Sequence, residues 1–92
     1  MSVRVKIPTQ LRTLTGGQAE LSVDDAADLR ELLGKIKGEH PDLTDRLLDD
    51  NGEIRRFVNI YVGEEDVRFL EGLDTKLEGG NLVSILPAVA GG

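Results

Sequence analysis

A single segment of this chain carries the spacing of a long helix, and the apolar runs on both sides of it alternate. Leu29, Leu32, Leu33 and Ile36 fall at i, i+3, i+4 and i+7, which places all four on one stripe of an α-helix. Before it, Val3-Arg4-Val5-Lys6-Ile7-Pro8 and Ala19-Glu20-Leu21-Ser22-Val23 have the period of two that marks a strand with one wet face. After it, Phe57-Val58-Asn59-Ile60-Tyr61-Val62 and Asn81-Leu82-Val83-Ser84-Ile85-Leu86 are β-rich. A helix with one apolar stripe and strands with one apolar face bury those surfaces against each other, so the pattern predicts a helix laid on a sheet.

The punctuation sets the expected boundaries. Asp25 is the expected N-cap, with Asp24 and Asp28 beside the positive end of the helix dipole, and Lys35, Lys37, Gly38 and Pro41 mark its finish, giving a helix over residues 26–37. Val3, Val5, Ile7, Leu21 and Val23 are assigned to the core, from an antiparallel hairpin whose long loop turns at Thr15-Gly16-Gly17. Leu43, Leu47 and Leu48 fit a short helical turn before the solvated acidic turn Asp49-Asp50-Asn51-Gly52. Val58, Ile60 and Val62 point inward, and Gly63-Glu64-Glu65-Asp66 turns into a short strand at Val67-Arg68-Phe69. Residues 70–77 form an irregular crossing anchored by Leu73 and Leu77, and Val83 and Ile85 face the core from a strand that Pro87 closes.

The order strand, strand, helix, strand, short strand, strand is that of an α+β, β-grasp domain: a mixed sheet of four to five strands packed on one main helix. Placing the first and last strands side by side and parallel in mid-sheet needs a crossover, which the helix-containing segment supplies. Residues 1–87 are read as the domain and residues 88–92, Ala-Val-Ala-Gly-Gly, as a flexible C-terminal tail. At about 3.3 Å per extended residue, such a tail reaches roughly 17 Å, far enough to enter another protein's active site.

Ninety-two residues suit one small core and leave little room for a catalytic cleft with a lid. Seventeen acidic residues against 11 basic ones give a net charge of −6, which repels phosphate backbones and anionic membrane surfaces, so neither nucleic acid nor membrane is an expected partner. The first residues read as a strand, no run is long and apolar enough to span a bilayer, and the expected location is the cytoplasm. Without cysteine the chain forms no disulfide, thiolate metal site or persulfide of its own.

Catalysis by side chains finds no constellation. The one histidine, His40, stands before Pro41 near the negative end of the helix and reads as a surface residue. Glu64-Glu65-Asp66 reads as a solvated charge run with no EF-hand spacing, so no metal site is expected. Gly16-Gly17 and Gly79-Gly80 lack the lysine and hydroxyl residue of a phosphate-binding loop. Two other features stand out. If Val58, Ile60, Val83 and Ile85 face inward, Phe57, Tyr61, Leu82 and Leu86 face outward and either form a docking patch or are scattered surface apolars. Arg4, Arg55, Arg56 and Arg68 either rim that patch or, as lone arginines mostly do, serve solubility. The other feature is the Gly91-Gly92 ending, where the absence of Cβ atoms suits Gly92, Gly91, Ala90 and Val89 to threading through a narrow channel. A carboxylate is a poor electrophile, so a reaction at Gly92 requires prior activation to an acyl species.

The β-grasp order with a terminal Gly-Gly resembles the MoaD/ThiS family of ubiquitin-like sulfur carriers. Arg56-Phe57-Val58-Asn59-Ile60-Tyr61-Val62, Glu65-Asp66-Val67-Arg68-Phe69 and Ile85-Leu86-Pro87-Ala88-Val89-Ala90-Gly91-Gly92 are similar to the members that serve an actinobacterial-type cysteine pathway. The resemblance is strong over residues 56–92, weaker over residues 7–18 and faint in the helix. It implies a non-catalytic carrier that binds no cofactor itself. An E1-like adenylyltransferase/sulfurtransferase using ATP and Mg would activate Gly92, and a sulfur donor would convert it to a thiocarboxylate. A pyridoxal-phosphate-dependent cysteine synthase would accept the sulfur, and a metal-dependent peptidase would release cysteine. Carriers for molybdopterin or thiamine synthesis share that tail chemistry. A ubiquitin-like protein modifier and a plain β-grasp interaction domain are the readings from other classes.

Overall fold

Val3 and Val5 are buried on β1 (Ser2–Lys6) while Ser2, Arg4 and Lys6 are exposed, so the opening alternation becomes a strand with one face in the core. The computed structural model describes residues 2–87; Met1 and residues 88–92, and with them Val89, Ala90, Gly91 and Gly92, lie outside the described residues. β1 pairs antiparallel with β2 (Glu20–Asp24), and the loop between them is filled by a 3-10 segment, Thr9–Thr15, that buries Leu11. Gly16 ends that segment at φ 66°, a left-handed conformation that costs glycine nothing.

The leucine stripe forms α1 (Leu29–Glu39), with Leu29, Leu32, Leu33 and Ile36 all buried. A second helix, α2 (Pro41–Leu47), follows at once and buries Leu43 and Leu47. His40 lies at the junction of the two, partly exposed, and its carbonyl accepts from the amides of Leu43 and Thr44. The chain returns to the sheet in β3 (Val58–Val62), turns into the two-residue β4 (Glu65–Asp66), and finishes in β5 (Leu82–Pro87). The strand order is β2-β1-β5-β3-β4, with β5 parallel to β1 and antiparallel to β3. That is the β-grasp arrangement, with the first and last strands at the centre, and one core of Val, Leu and Ile fills the space between sheet and helices.

Two differences from expectation go beyond a shift of one or two residues at the end of an element. The helix starts at Leu29, with Asp28 rather than Asp25 as N-cap, its carboxylate accepting from the Glu31 amide at 2.8 Å. The cause is tertiary: Ala27 O accepts from Leu77 N, Thr75 O accepts from Leu29 N, and Asp28 bridges Lys76, so residues 27–29 are paired with the crossing segment. The second difference lies after β3. The short strand is Glu65–Asp66, and Val67–Phe69 is a 3-10 turn that buries Val67 and leaves Phe69 86% exposed. Asp66 ends the pairing because its carboxylate accepts from the Arg68 amide and caps that turn.

Candidate functional site: the end of the central strand and the outer sheet face

β5 holds the last described residues between two partners. Val5 aligns with Val83 and Lys6 with Ser84 on one side, and Ile60 with Ile85 and Val58 with Pro87 on the other. Val83 and Ile85 are 1% exposed, so the strand is locked into the core up to Pro87. Whatever residues 88–92 do, they start from a fixed point in the sheet. Beside that point lies an open cleft of about 640 Å³, lined by Leu11, Asp45, Arg46, Asp49, Arg55, Arg56, Phe57, Val58 and Pro87.

Three of the four apolar residues expected on the outer face stand on its strands, and the fourth, Phe57, directly precedes β3. Phe57 is 51% and Leu86 49% exposed; Tyr61 and Leu82 are half-buried. The register brings them together: Tyr61 is opposite Ser84, diagonal to Leu82 and Leu86, and Leu86 is opposite Asn59, diagonal to Tyr61. Phe57 stands in the turn before β3 rather than on the strand, where it joins the patch to the cleft. Tyr61, Leu82 and Leu86 therefore share one face of β3 and β5, with Phe57 at the end of it beside the cleft.

The arginines divide into different roles. Arg4 neighbours Leu82 across the β1–β5 pair and lies 3.8 Å from Glu20, an exposed ion pair of small energetic weight. Arg55 turns away and donates through Nε to Asp45 O at 3.0 Å. Arg56 is exposed, lines the cleft, and among the described residues makes no side-chain hydrogen bond or ion pair. Arg68 is not a rim charge. Its Nη1 donates to Asn59 Oδ1 at 2.6 Å, and its Nη2 lies within donating distance of the carbonyls of Arg55, Arg56 and Val58, at 3.0, 3.2 and 2.7 Å. This clamp was not foreseen from sequence, and neither were the exposed Phe69 and the cleft walls from α2. Among the described residues no group of three or more His, Asp or Glu is placed to hold a metal ion, and no helix is long and apolar enough to cross a membrane.

A sequence model described as the ThiS family matches residues 5–92. The chain is 46% identical to the sulfur carrier protein CysO of Mycobacterium tuberculosis over 94 residues, covering all of both chains. It is 39% identical over 70 residues to small archaeal modifier protein 3 of Haloferax volcanii, covering 76% of this chain and 75% of that one. The fold superimposes on a chain in the crystal structure of the Amycolatopsis orientalis BexX/CysO complex with a TM-score of 0.88, at 41% identity over 98% of this chain and 99% of the other. The crystal structure of Mycobacterium tuberculosis CysO gives a TM-score of 0.86, at 43% identity over 95% of this chain and 99% of the other.

Proposed function

The chain belongs to the ThiS family, and we propose that it carries sulfur as a thiocarboxylate at Gly92 for cysteine biosynthesis. The observation that carries this reading is full-length similarity, at 46% identity, to a sulfur carrier whose match runs through the Gly-Gly ending. The geometry supports it: the central strand fixes the residue from which the last five depart, and an exposed apolar strip lies next to that point.

The chemistry divides between carrier and partners. An oxygen of the Gly92 carboxylate attacks the α-phosphorus of ATP on an E1-like adenylyltransferase, and pyrophosphate leaves with magnesium. The resulting mixed anhydride is an electrophile that the free carboxylate is not. A sulfur nucleophile adds to the acyl carbon and AMP departs, leaving one oxygen of Gly92 replaced by sulfur. The thiocarboxylate sulfur would then bond to the β-carbon of a phosphorylated serine on a pyridoxal-phosphate-dependent cysteine synthase, with loss of phosphate; the thioester formed would shift from sulfur to nitrogen as an amide, and a metal-dependent peptidase would hydrolyse that amide, releasing cysteine and restoring the Gly92 carboxylate. ATP, metal and pyridoxal phosphate belong to those enzymes; this chain contributes the acyl group and an address. Phe57, Tyr61, Leu82 and Leu86 form the address, and Val89, Ala90, Gly91 and Gly92 thread the channel.

Incubation with the adenylyltransferase, MgATP and sulfide, followed by intact-mass measurement, tests the assignment. The expected result is a mass gain of one sulfur for one oxygen in the wild type, and none in Gly92→Ala or in a chain lacking Gly92. Normal loading of either variant overturns it. A second reading, attachment through Gly92 to lysines of other proteins, is favoured by the similarity to a small archaeal modifier protein. It predicts a ladder of higher-mass conjugates in cell extracts, which a dedicated carrier does not produce.

A further inference from the structure

We infer that Arg68 is a positioning residue that helps fix the turn before β3, so that Phe57 is presented beside Pro87, the last described residue of β5. The inference rests on the proposed docking of Phe57 and Leu86 to the adenylyltransferase. Its basis is the hydrogen-bond pattern of one side chain. Arg68 reaches back to residues 55–59, and three of its four acceptors are main-chain carbonyls. Nη2 has two hydrogens and faces three carbonyls, so at least one hydrogen is shared. That pattern needs a planar guanidinium; the single nitrogen of a lysine cannot cover both Asn59 Oδ1 and three carbonyls.

The clamp is itself held at its base. Asp66 accepts from the Arg68 amide at 2.9 Å, and Asp66 is aligned with Tyr61 across the β3–β4 pair. The bonds therefore close a loop: β3 fixes β4, β4 fixes the 3-10 turn, and the turn's arginine fixes the residues leading into β3. Phe57 lies between the bonded carbonyls of Arg56 and Val58, which leaves its backbone little freedom while its ring stays exposed. Val58 also aligns with Pro87, the last described residue of β5. The backbone bond from Val58 N to Arg55 O at 3.1 Å closes the same turn, and the guanidinium adds to it in holding the exposed ring relative to Pro87, the kind of preorganisation that lowers the ordering cost of docking.

A double-mutant cycle on the full chain tests this, with the KM and kcat of the cognate adenylyltransferase for the carrier read in ATP–pyrophosphate exchange. Arg68→Lys is expected to raise KM about tenfold with kcat unchanged, because uniform binding is lost and the chemistry at Gly92 is untouched. In a Phe57→Ala background the same replacement should change KM by less than about twofold, since the group it positions is gone. Amides of residues 55–58 should also exchange faster in Arg68→Lys. An equal effect of Arg68→Lys in both backgrounds, or none in the wild type, overturns the positioning role. If Phe57→Ala leaves KM unaltered, the docking reading fails and this inference with it, while sulfur loading of Gly92 by mass reports separately on the carrier assignment. Should Arg68→Lys not fold, Asn59→Ala removes one acceptor and leaves the guanidinium; a KM rise in the same direction is expected, and no rise overturns the inference.

Discussion

Ile85 and Leu86 are neighbours with opposite tasks, separated only by the alternation of a strand. Ile85 is 1% exposed and opposite Ile60 in the core, whereas Leu86 is 49% exposed on the outer face. Truncating Ile85 removes buried methylenes and leaves a cavity that a tight core cannot close, so Ile85→Ala should lower unfolding free energy by about 2–5 kcal/mol. Leu86→Ala removes atoms already half in water and should stay within about 1 kcal/mol of wild type. The order reverses for binding: Leu86→Ala, like Phe57→Ala, should weaken docking to the adenylyltransferase more than it weakens the fold. Urea denaturation and a binding titration on the same two variants read both quantities. Equal affinity for wild type and Leu86→Ala would remove the strip from the docking surface. Alternation made this division legible in advance, because period two fixes which side of the sheet a side chain occupies without knowledge of its neighbours. The role of Arg68 was hidden because its acceptors are mostly carbonyls, and every residue has one; nothing in the residue types around positions 55–58 marks them as bonded.

Elements show the same contrast between local and distant causes. The interior of α1 follows from its leucine spacing, and four buried residues confirm it. Its start does not follow, because Asp24, Asp25 and Asp28 are all competent caps and the choice among them is made by the crossing segment at residues 75–77. Asp28 carries the cap, and Glu31 reaches back to the Ala27 amide at 3.0 Å, a near relative of the reciprocal capping box. Asp24 instead offers its carbonyl, which accepts from Lys35 Nζ at 2.8 Å and needs no particular side chain. Asp28→Ala should therefore cost about 1 kcal/mol, while Asp24→Ala should stay within about 0.5 kcal/mol of wild type. Thermal and urea melts of the pair decide it, and a larger loss for Asp24→Ala would show the assigned cap to be wrong. The short strand falls at Glu65–Asp66 and not at Val67–Phe69 for a related reason. Val67 is buried and β-branched, as a strand residue is, but the Asp66 carboxylate draws the next amides into a turn, and side-chain competition for amides is weakly visible in composition.

The whole molecule is organised so that its last strand is its middle. Among the described residues β5 is the only strand that touches both β1 and β3; without it the sheet separates into the β1–β2 hairpin and the β3–β4 pair. Neither remnant is large enough to persist alone, since isolated two-stranded units are marginal in water. Val83 and Ile85 also leave the core with β5, exposing the faces of Val5 and Ile60 that they cover. A chain ending after Asn81 should therefore be unfolded, with no cooperative melt. A chain ending after Pro87 keeps all the buried residues and strand pairs found among the described residues, so it should melt within a few degrees of the full chain. That same chain should take up no sulfur in the loading assay, because the acyl group is gone. The two truncation points lie six residues apart, the length of β5, and between them separate what the body needs from what the reaction needs. A chain ending after Pro87 that melts far below the full chain would mean that residues 88–92 contribute to the fold, and the division of labour between a rigid sheet and a reactive end would have to be redrawn.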